Sequence, residues 1–460
     1  MNTKSGKVIR LGGGGGFASD RIDAALELVE KGNINYLCSD SLSENELSLV
    51  TMRKLQDQSF PGYDTMLQIR MKDILPVALR RKVKIIGNMG STNPVAAAKY
   101  VSAKAKELGH KVKVAAITGD NVREYLMSGD FITIEGSRPI RDFGDDLVAA
   151  HAYVSSIGIE RALREGAEIV LTGRVGDAAL FLGALRYEFN WAEDDWDSLA
   201  IGTMVGHQLE CAGQLTGGFY ADPPYKTVEQ AYKLGFPIAE VHDNGDVFFT
   251  KVQGTGGVVS VGTCKEQALY EVHDPANYKH AEVTVDLSKV DFQQVEKDRV
   301  KMFGVRGKPS PDTLKVALGV REGYFSTTTI WFAGPGAKER AEWGRQVLYA
   351  RFDYLGYRPD ALGIFLMGVD GVYGNAPGVP KNTNPWEVGL RVAARSHNKE
   401  ELETMMLETA ARLSTNGPAA NTCEHTTWSV RDVVAYYHTF IPRESIKLEI
   451  TYVEGSQWRK

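Results

Sequence analysis

The 460-residue chain has little cysteine: four residues, at positions 38, 211, 264 and 423, with no Cys-x-x-Cys or other short pairing. That spacing excludes a cysteine-built zinc site, an iron–sulfur cluster and a disulfide framework, and leaves four reduced thiols as the expectation. No apolar run reaches the roughly 18 residues a membrane-spanning helix needs, and the opening Met-Asn-Thr-Lys-Ser-Gly-Lys has no signal-peptide core, so a cytoplasmic location is expected. A dominant charge is missing as well. With 53 basic against 58 acidic residues the formal net charge is −5, which excludes the basic footprint of a nucleic-acid binder. No internal repeat or low-complexity tail is visible.

What the chain has in quantity is glycine, and five glycines stand together. Gly12, Gly13, Gly14, Gly15 and Gly16 follow the apolar run 7–11 and lead through Phe-Ala-Ser-Asp20-Arg21 into an apolar-periodic helix. Glycine lacks a Cβ, so such a loop brings backbone N–H groups close to an anionic ligand at a helix start. Further strand-like runs at 34–38, 83–87, 112–117 and 168–171 alternate with helical patterns near 21–31, 44–57, 65–81, 94–108 and 158–166. The alternation predicts an α/β fold with an N-terminal doubly wound, mostly parallel, Rossmann-like sheet, rather than an eight-stranded barrel that would need three more βα units. Asp20 and Asn93 are candidate helix caps, with Pro94 in a first turn. Residues 216–380 are rich in glycine, β-branched residues and turn pairs, and 386–460 reads strand, helix, Asn-Gly-Pro turn, helix, strand. Three regions follow: 1–215, a parallel α/β ligand-binding domain; 216–385, a β-rich α+β domain; and 386–460, a small α+β segment. The glycine- and proline-rich stretch 368–385 is the linker candidate, or an ordered lid.

In parallel α/β sheets ligands bind beyond the carboxyl ends of the strands, so the residues after each strand can be pooled into one site. The pool holds the glycines with Asp20 and Arg21, then Asp40, Asn88 and Asn93, Asp120, and Thr172-Gly-Arg174-Val-Gly-Asp177. Singly, these are ordinary turn and capping residues. Together they crowd charges on one edge, where shifted pKa values arise. Gly13-x-Gly15-x-x-Ala18 with Asp40 also fits a loose dinucleotide fingerprint, although a carboxylate at Asp20 would stand where a pyrophosphate docks. A second group, Gly206-His207-Gln-Leu-Glu210-Cys211, puts His207, Glu210 and Cys211 on one helix face, suited to proton transfer, to a divalent metal, or to a plain buried hydrogen bond. A third, Lys265 to Asp274, places Glu266 and Tyr270 together with His273 near a helix end, and Lys251 beside Gly254-Thr-Gly-Gly257 is an anion-binding candidate.

In order along the chain, Gly-Gly-Gly-Phe-Ala-Ser-Asp-Arg-Ile-Asp-Ala-Ala-Leu, Asn-Met-Gly…Asn-Pro, Thr-Gly-Asp, Thr-Gly-Arg-Val-Gly-Asp, Gly-His-Gln-Leu-Glu-Cys…Thr-Gly-Gly, Gly-Phe-Pro-Ile-Ala-Glu and Lys-Glu-Gln…Tyr-Glu-Val-His-Asp-Pro resemble the acyclic terpene utilisation protein A family, from about residue 7 to 445. The resemblance implies a bacterial catabolic protein of pathways that run through branched acyl-CoA intermediates. Many relatives carry a further C-terminal ferredoxin-like domain, so a separate small partner subunit is expected here. Where this chain has Cys38-Ser-Asp40-Ser-Leu-Ser-Glu44, relatives usually show a glutamate followed by Leu-Ala-Glu. Asp40 is thus a departure and Glu44 is kept.

The leading expectation is a homo-oligomeric enzyme that abstracts a proton next to the carbonyl of a small carboxylate or acyl-CoA, with a hydratase or lyase outcome. Arg21 and Arg174 clamp anionic groups, the glycine loop and Asn88 or Asn93 stabilise an oxyanion, and His207 with Glu210 and Asp120 or Asp177 exchange protons, with a Mg²⁺-like ion as candidate cofactor. The alternatives are an NAD(P)- or flavin-dependent oxidoreductase and a non-catalytic acyl-CoA-binding subunit.

Overall fold

A computed structural model describes residues 6–374, 376–377, 384–419, 421–423 and 428–454. The chain forms two compact units, one of residues 1–319 with 436–460 and one of residues 320–435. The first is built on a ten-stranded sheet. Its centre is five parallel strands in the spatial order Val8–Gly13, Tyr36–Ser39, Lys84–Gly87, Ile169–Thr172 and Lys113–Thr118. These are the five runs expected from the sequence. Tyr36–Ser39 and Ile169–Thr172 are buried at every position, as strands covered on both faces must be.

Antiparallel strands extend both sides of this centre and make the sheet mixed. Pro237–His242 pairs with Val8–Gly13, followed outward by Val247–Lys251, Arg299–Phe303 and Asp291–Glu296, while Glu449–Glu454 pairs with Lys113–Thr118. The sheet is open, with different strands at its two edges. The helices Ile22–Lys31, Glu44–Gln56, Leu67–Arg81, Pro94–Glu107 and Ile157–Arg164 lie within a few residues of their expected positions. Ile22–Lys31 buries Ala24, Ala25, Leu28 and Val29, one stripe at helical spacing, against a core that includes Leu37, Ile74, Leu75, Val101 and Leu171. Asn93 caps the Pro94 helix as expected, accepting from the Ala96 N–H at 3.2 Å. Asp20 does not cap the first helix: its carboxylate takes the N–H groups of Gly16 at 2.9 Å and Arg21 at 2.7 Å.

The second unit pairs Thr313–Ala333, over Tyr324 to Ala333, with Glu387–Ser396, which pairs with Ala361–Met367. The helices Ala337–Leu355 and Lys399–Leu407 cover a core of Ile330, Phe332, Leu348, Leu390 and Met405. The helix expected after Asn416-Gly-Pro is absent among the described residues. Arg431–Pro442 is a strand instead, in keeping with its β-branched and aromatic content. Of the linker candidate 368–385, residues 375 and 378–383 lie outside the described residues, as does the side chain of Cys423. Cys38, Cys211 and Cys264 are free thiols. No helix among the described residues is long and apolar enough to cross a membrane.

The glycine run is required by what crosses it. A Cβ on Gly13 would lie 2.5 Å from the Leu209 carbonyl oxygen, and one on Gly16 2.8 Å from the Cys211 Cα. Both obstacles are backbone at the end of the Trp196–Leu209 helix, so neither can turn aside. Gly16→Ala therefore costs stability by roughly 1–3 kcal/mol, the range for overpacking a close contact. Urea unfolding of the variant against the wild type measures the loss.

Candidate functional site

The ends of the parallel strands converge on one guanidinium. Arg174 lies just beyond Ile169–Thr172 and is 2% exposed. It donates to the backbone carbonyls of Val175 and Leu42 and to the Asp177 carboxylate, and its Nη2 lies 3.9 Å from Asp40. The Tyr153 ring stacks on it at 4.6 Å, and the Tyr153 hydroxyl donates to Glu44. Its own backbone N–H is held by Asp120 at 2.8 Å, and the other partner of that carboxylate oxygen is His151 Nδ1, also at 2.8 Å. Burial disfavours the Arg174 charge, but Asp177, Asp40 and Glu44 outweigh it and raise the pKa, so the group is a fixed cation.

Around this cation gather Asp40, Asp177 and Glu210, each offering an oxygen within 4.8 Å of the others. Asp40 ends Tyr36–Ser39, Asp177 follows Arg174 by three residues, and Glu210 closes the Trp196–Leu209 helix. Asn88 spans the first two turns: its Nδ2 donates to Asp40 at 2.5 Å and its Oδ1 accepts from the Ser41 N–H at 2.8 Å. Asp40 and Asp177 share the guanidinium and Glu210 crowds against them, so the three cannot all ionise cheaply. Burial, then the neighbouring Asp177, pushes Asp40 up to about 8 against the opposing pull of Arg174. Burial with Asp177 and Asp40 pushes Glu210 well above the carboxylate range. Glu44 goes the other way: burial raises it most, but the Tyr153 hydrogen bond, its own backbone N–H, Arg174 and Lys315 together outweigh burial and lower it. The three crowded oxygens suit a shared proton, and their chemistry equally fits a hard divalent cation.

A family model described as acyclic terpene utilisation family protein AtuA matches residues 9–452. The chain belongs to the AtuA family. No curated protein and no solved structure matches it.

In this AtuA-family chain, Asn88, Asp120, Arg174, Asp177 and Glu210, all expected from the sequence, meet in one place. His207 lies one helical turn before Glu210, 3% exposed, with Nδ1 at 3.2 Å from the Tyr278 hydroxyl; burial lowers its pKa to about 4, which keeps it neutral. Other expected residues are engaged elsewhere. Arg21 pairs with Asp23 and donates to the Leu234 carbonyl at 2.6 Å, and Asn93 caps its helix and donates to the Pro61 carbonyl. In the run Gly12 to Gly16, the Gly14 N–H bonds the Cys38 carbonyl and the Gly16 N–H bonds Asp20, so these two amides serve the fold. Lys251 donates to the Thr255 carbonyl at 2.9 Å and faces Asp298 at 3.4 Å, in a cleft of about 920 Å³ whose lining also carries Glu229, Glu296, Lys297 and Arg299. Three acids and three bases there leave no net charge for an anion.

Four site residues escaped the sequence reading. Tyr153 and His151 follow from the strand Leu147–Ala152, whose small apolar residues gave a weak signal. Tyr278 and His280, with ring centroids 4.2 Å apart, are two residues apart in an extended segment, an alternation that puts both on one face.

The pH dependence follows from the raised carboxylate. A carboxyl whose folded pKa is raised keeps its proton in the folded state while the unfolded chain releases it, so it contributes stability at low pH that is lost as pH rises through about 8. Asp40→Asn preserves the acceptor for Asn88 without the charge. It should flatten this part of the stability-versus-pH curve and stabilise the protein most above pH 8, by several kcal/mol at most, at about 1.4 kcal/mol per unit of raised pKa. Urea midpoints from pH 5 to 9 for both proteins provide the check.

Proposed function

We propose that this protein is a catabolic lyase of the hydro-lyase type, acting on a small carboxylate or acyl thioester through removal of a proton next to the carbonyl. The observation that carries the reading is the trio Asp40, Asp177 and Glu210, with oxygens within 4.8 Å of one another, the first two beside a buried guanidinium. The same reading takes the parallel strands as a doubly wound, Rossmann-like sheet whose strand ends hold the ligand. Asp177, the most accessible of the three and paired to Arg174, is the base. It takes the proton from the carbon next to the carbonyl, and the electron pair of that bond expels a hydroxyl from the adjacent carbon. The hydroxyl leaves as water with a proton from Glu210, which is neutral at physiological pH. Arg174, with its donors already committed, holds the charge of the carboxylates rather than clamping substrate. A carboxyl that burial and acidic neighbours push up, as they do Glu210, is suited to the role of proton donor.

The test is exchange at carbon. Incubated in deuterated water with a panel of carboxylates and acyl thioesters, with and without Mg²⁺ or Mn²⁺, the protein should place deuterium next to the carbonyl of its substrate. Asp177→Asn should slow this by roughly 10²–10⁴-fold, the usual worth of a positioned base. Absence of exchange across the panel, together with tight NAD(P)H binding or a flavin spectrum, would establish an oxidoreductase instead.

A further inference from the structure

Behind the end of the Trp196–Leu209 helix a second space opens. A cleft of about 260 Å³ is walled by Gln214, Phe219, Tyr220, Thr263, Glu266, Gln267 and Tyr270, and its accessible lining is mostly carbon. Three of these residues tie it to the carboxylates. Gln214 ends the short turn Ala212–Gln214 directly after Glu210 and Cys211, and Gln267 donates to the His207 carbonyl at 3.1 Å. Tyr270 stands within electrostatic range of Cys211 and Glu210.

The mouth is aromatic. Phe219 leaves 78% of its surface uncovered, and Tyr220 packs onto the Val261–Leu269 helix where Gly262 leaves room, a Cβ there falling 2.8 Å from its hydroxyl. Lys226 covers the Tyr220 ring at 4.5 Å and pairs with Glu266 at 2.6 Å, holding the aromatic segment against that helix.

We infer that this cleft receives the aliphatic tail of the substrate whose carbonyl end is worked on by Asp40, Asp177 and Glu210. The inference rests on the lyase reading and adds the substrate class: a carboxylate or thioester with a hydrocarbon chain. The space holds roughly eight water- or methylene-sized groups at about 30 Å³ each.

Calorimetric titration of the full chain with straight-chain carboxylates from acetate to octanoate, and with the matching alcohols, tests it. The expected result is tightening of roughly three- to fourfold per added methylene in both series, the worth of burying one CH₂. The dependence should vanish in the double variant Phe219→Ala with Tyr220→Ala, its fold checked by its melting temperature, and weaken in the single variant Phe219→Ala, whose ring is mostly uncovered. Affinity that does not change with chain length, or a dependence kept by the double variant, overturns the inference. If the alcohols show the dependence and carboxylates of equal length bind no better, the cleft stands as the tail site and the lyase reading of the head-group site fails.

Discussion

The guanidinium of Arg174 is the charge around which the first unit closes. It is buried to 2% and reaches the turns after two strands, through the Leu42 carbonyl and Asp40 on one side and Asp177 on its own. Its backbone N–H takes in the turn after a third strand, through Asp120. Taking such a charge out of water costs several kcal/mol, recovered only where every donor finds an acceptor. Here the acceptors are backbone carbonyls and carboxylates from separate turns, so the positions of those turns and the ionisation of the carboxylates are one problem. Loss of any partner would leave an unpaired charge in low dielectric rather than merely remove a contact.

The glycine run serves the same centre from the other side. Because Gly13 and Gly16 admit the backbone of Leu209 and Cys211 at less than the width of a side chain, the end of the Trp196–Leu209 helix comes to rest against the first strand. Glu210 is the residue at that end. Arg70, itself 1% exposed, donates to the carbonyls of Gly14, Phe17, Ala18 and Asp20 and satisfies the loop from behind. A run that reads as a ligand cradle is, at these positions, the seat that delivers a carboxylate.

The parallel centre was legible because strands buried on both faces are written as unbroken apolar runs, and because the turns after them repeat one polar vocabulary. Pooling those turns located Asn88, Asp120, Arg174 and Asp177. The antiparallel strands that flank the centre were harder: Pro237–His242 pairs with Val8–Gly13 across more than two hundred residues, and nothing local encodes that partner. Roles were harder still. Arg21 and Arg174 look alike in sequence as arginines after strands, yet one pairs with Asp23 near the surface and the other is sealed among acids. Which of the two is buried depends on elements, such as Tyr153 stacked on Arg174, that arrive from elsewhere in the chain.

Stability alone does not account for the carboxylate trio. Buried ion pairs and their networks are often no better than apolar residues of similar volume, and three acids against one base are worse than a matched pair. The arrangement raises Asp40 and Glu210 toward neutrality while Arg174 keeps Asp177 supplied with a counter-charge. Three crowded acids kept at a cost to stability that grows with pH are where a functional rather than a structural role is to be sought, and the proposed proton transfer is one that would use them.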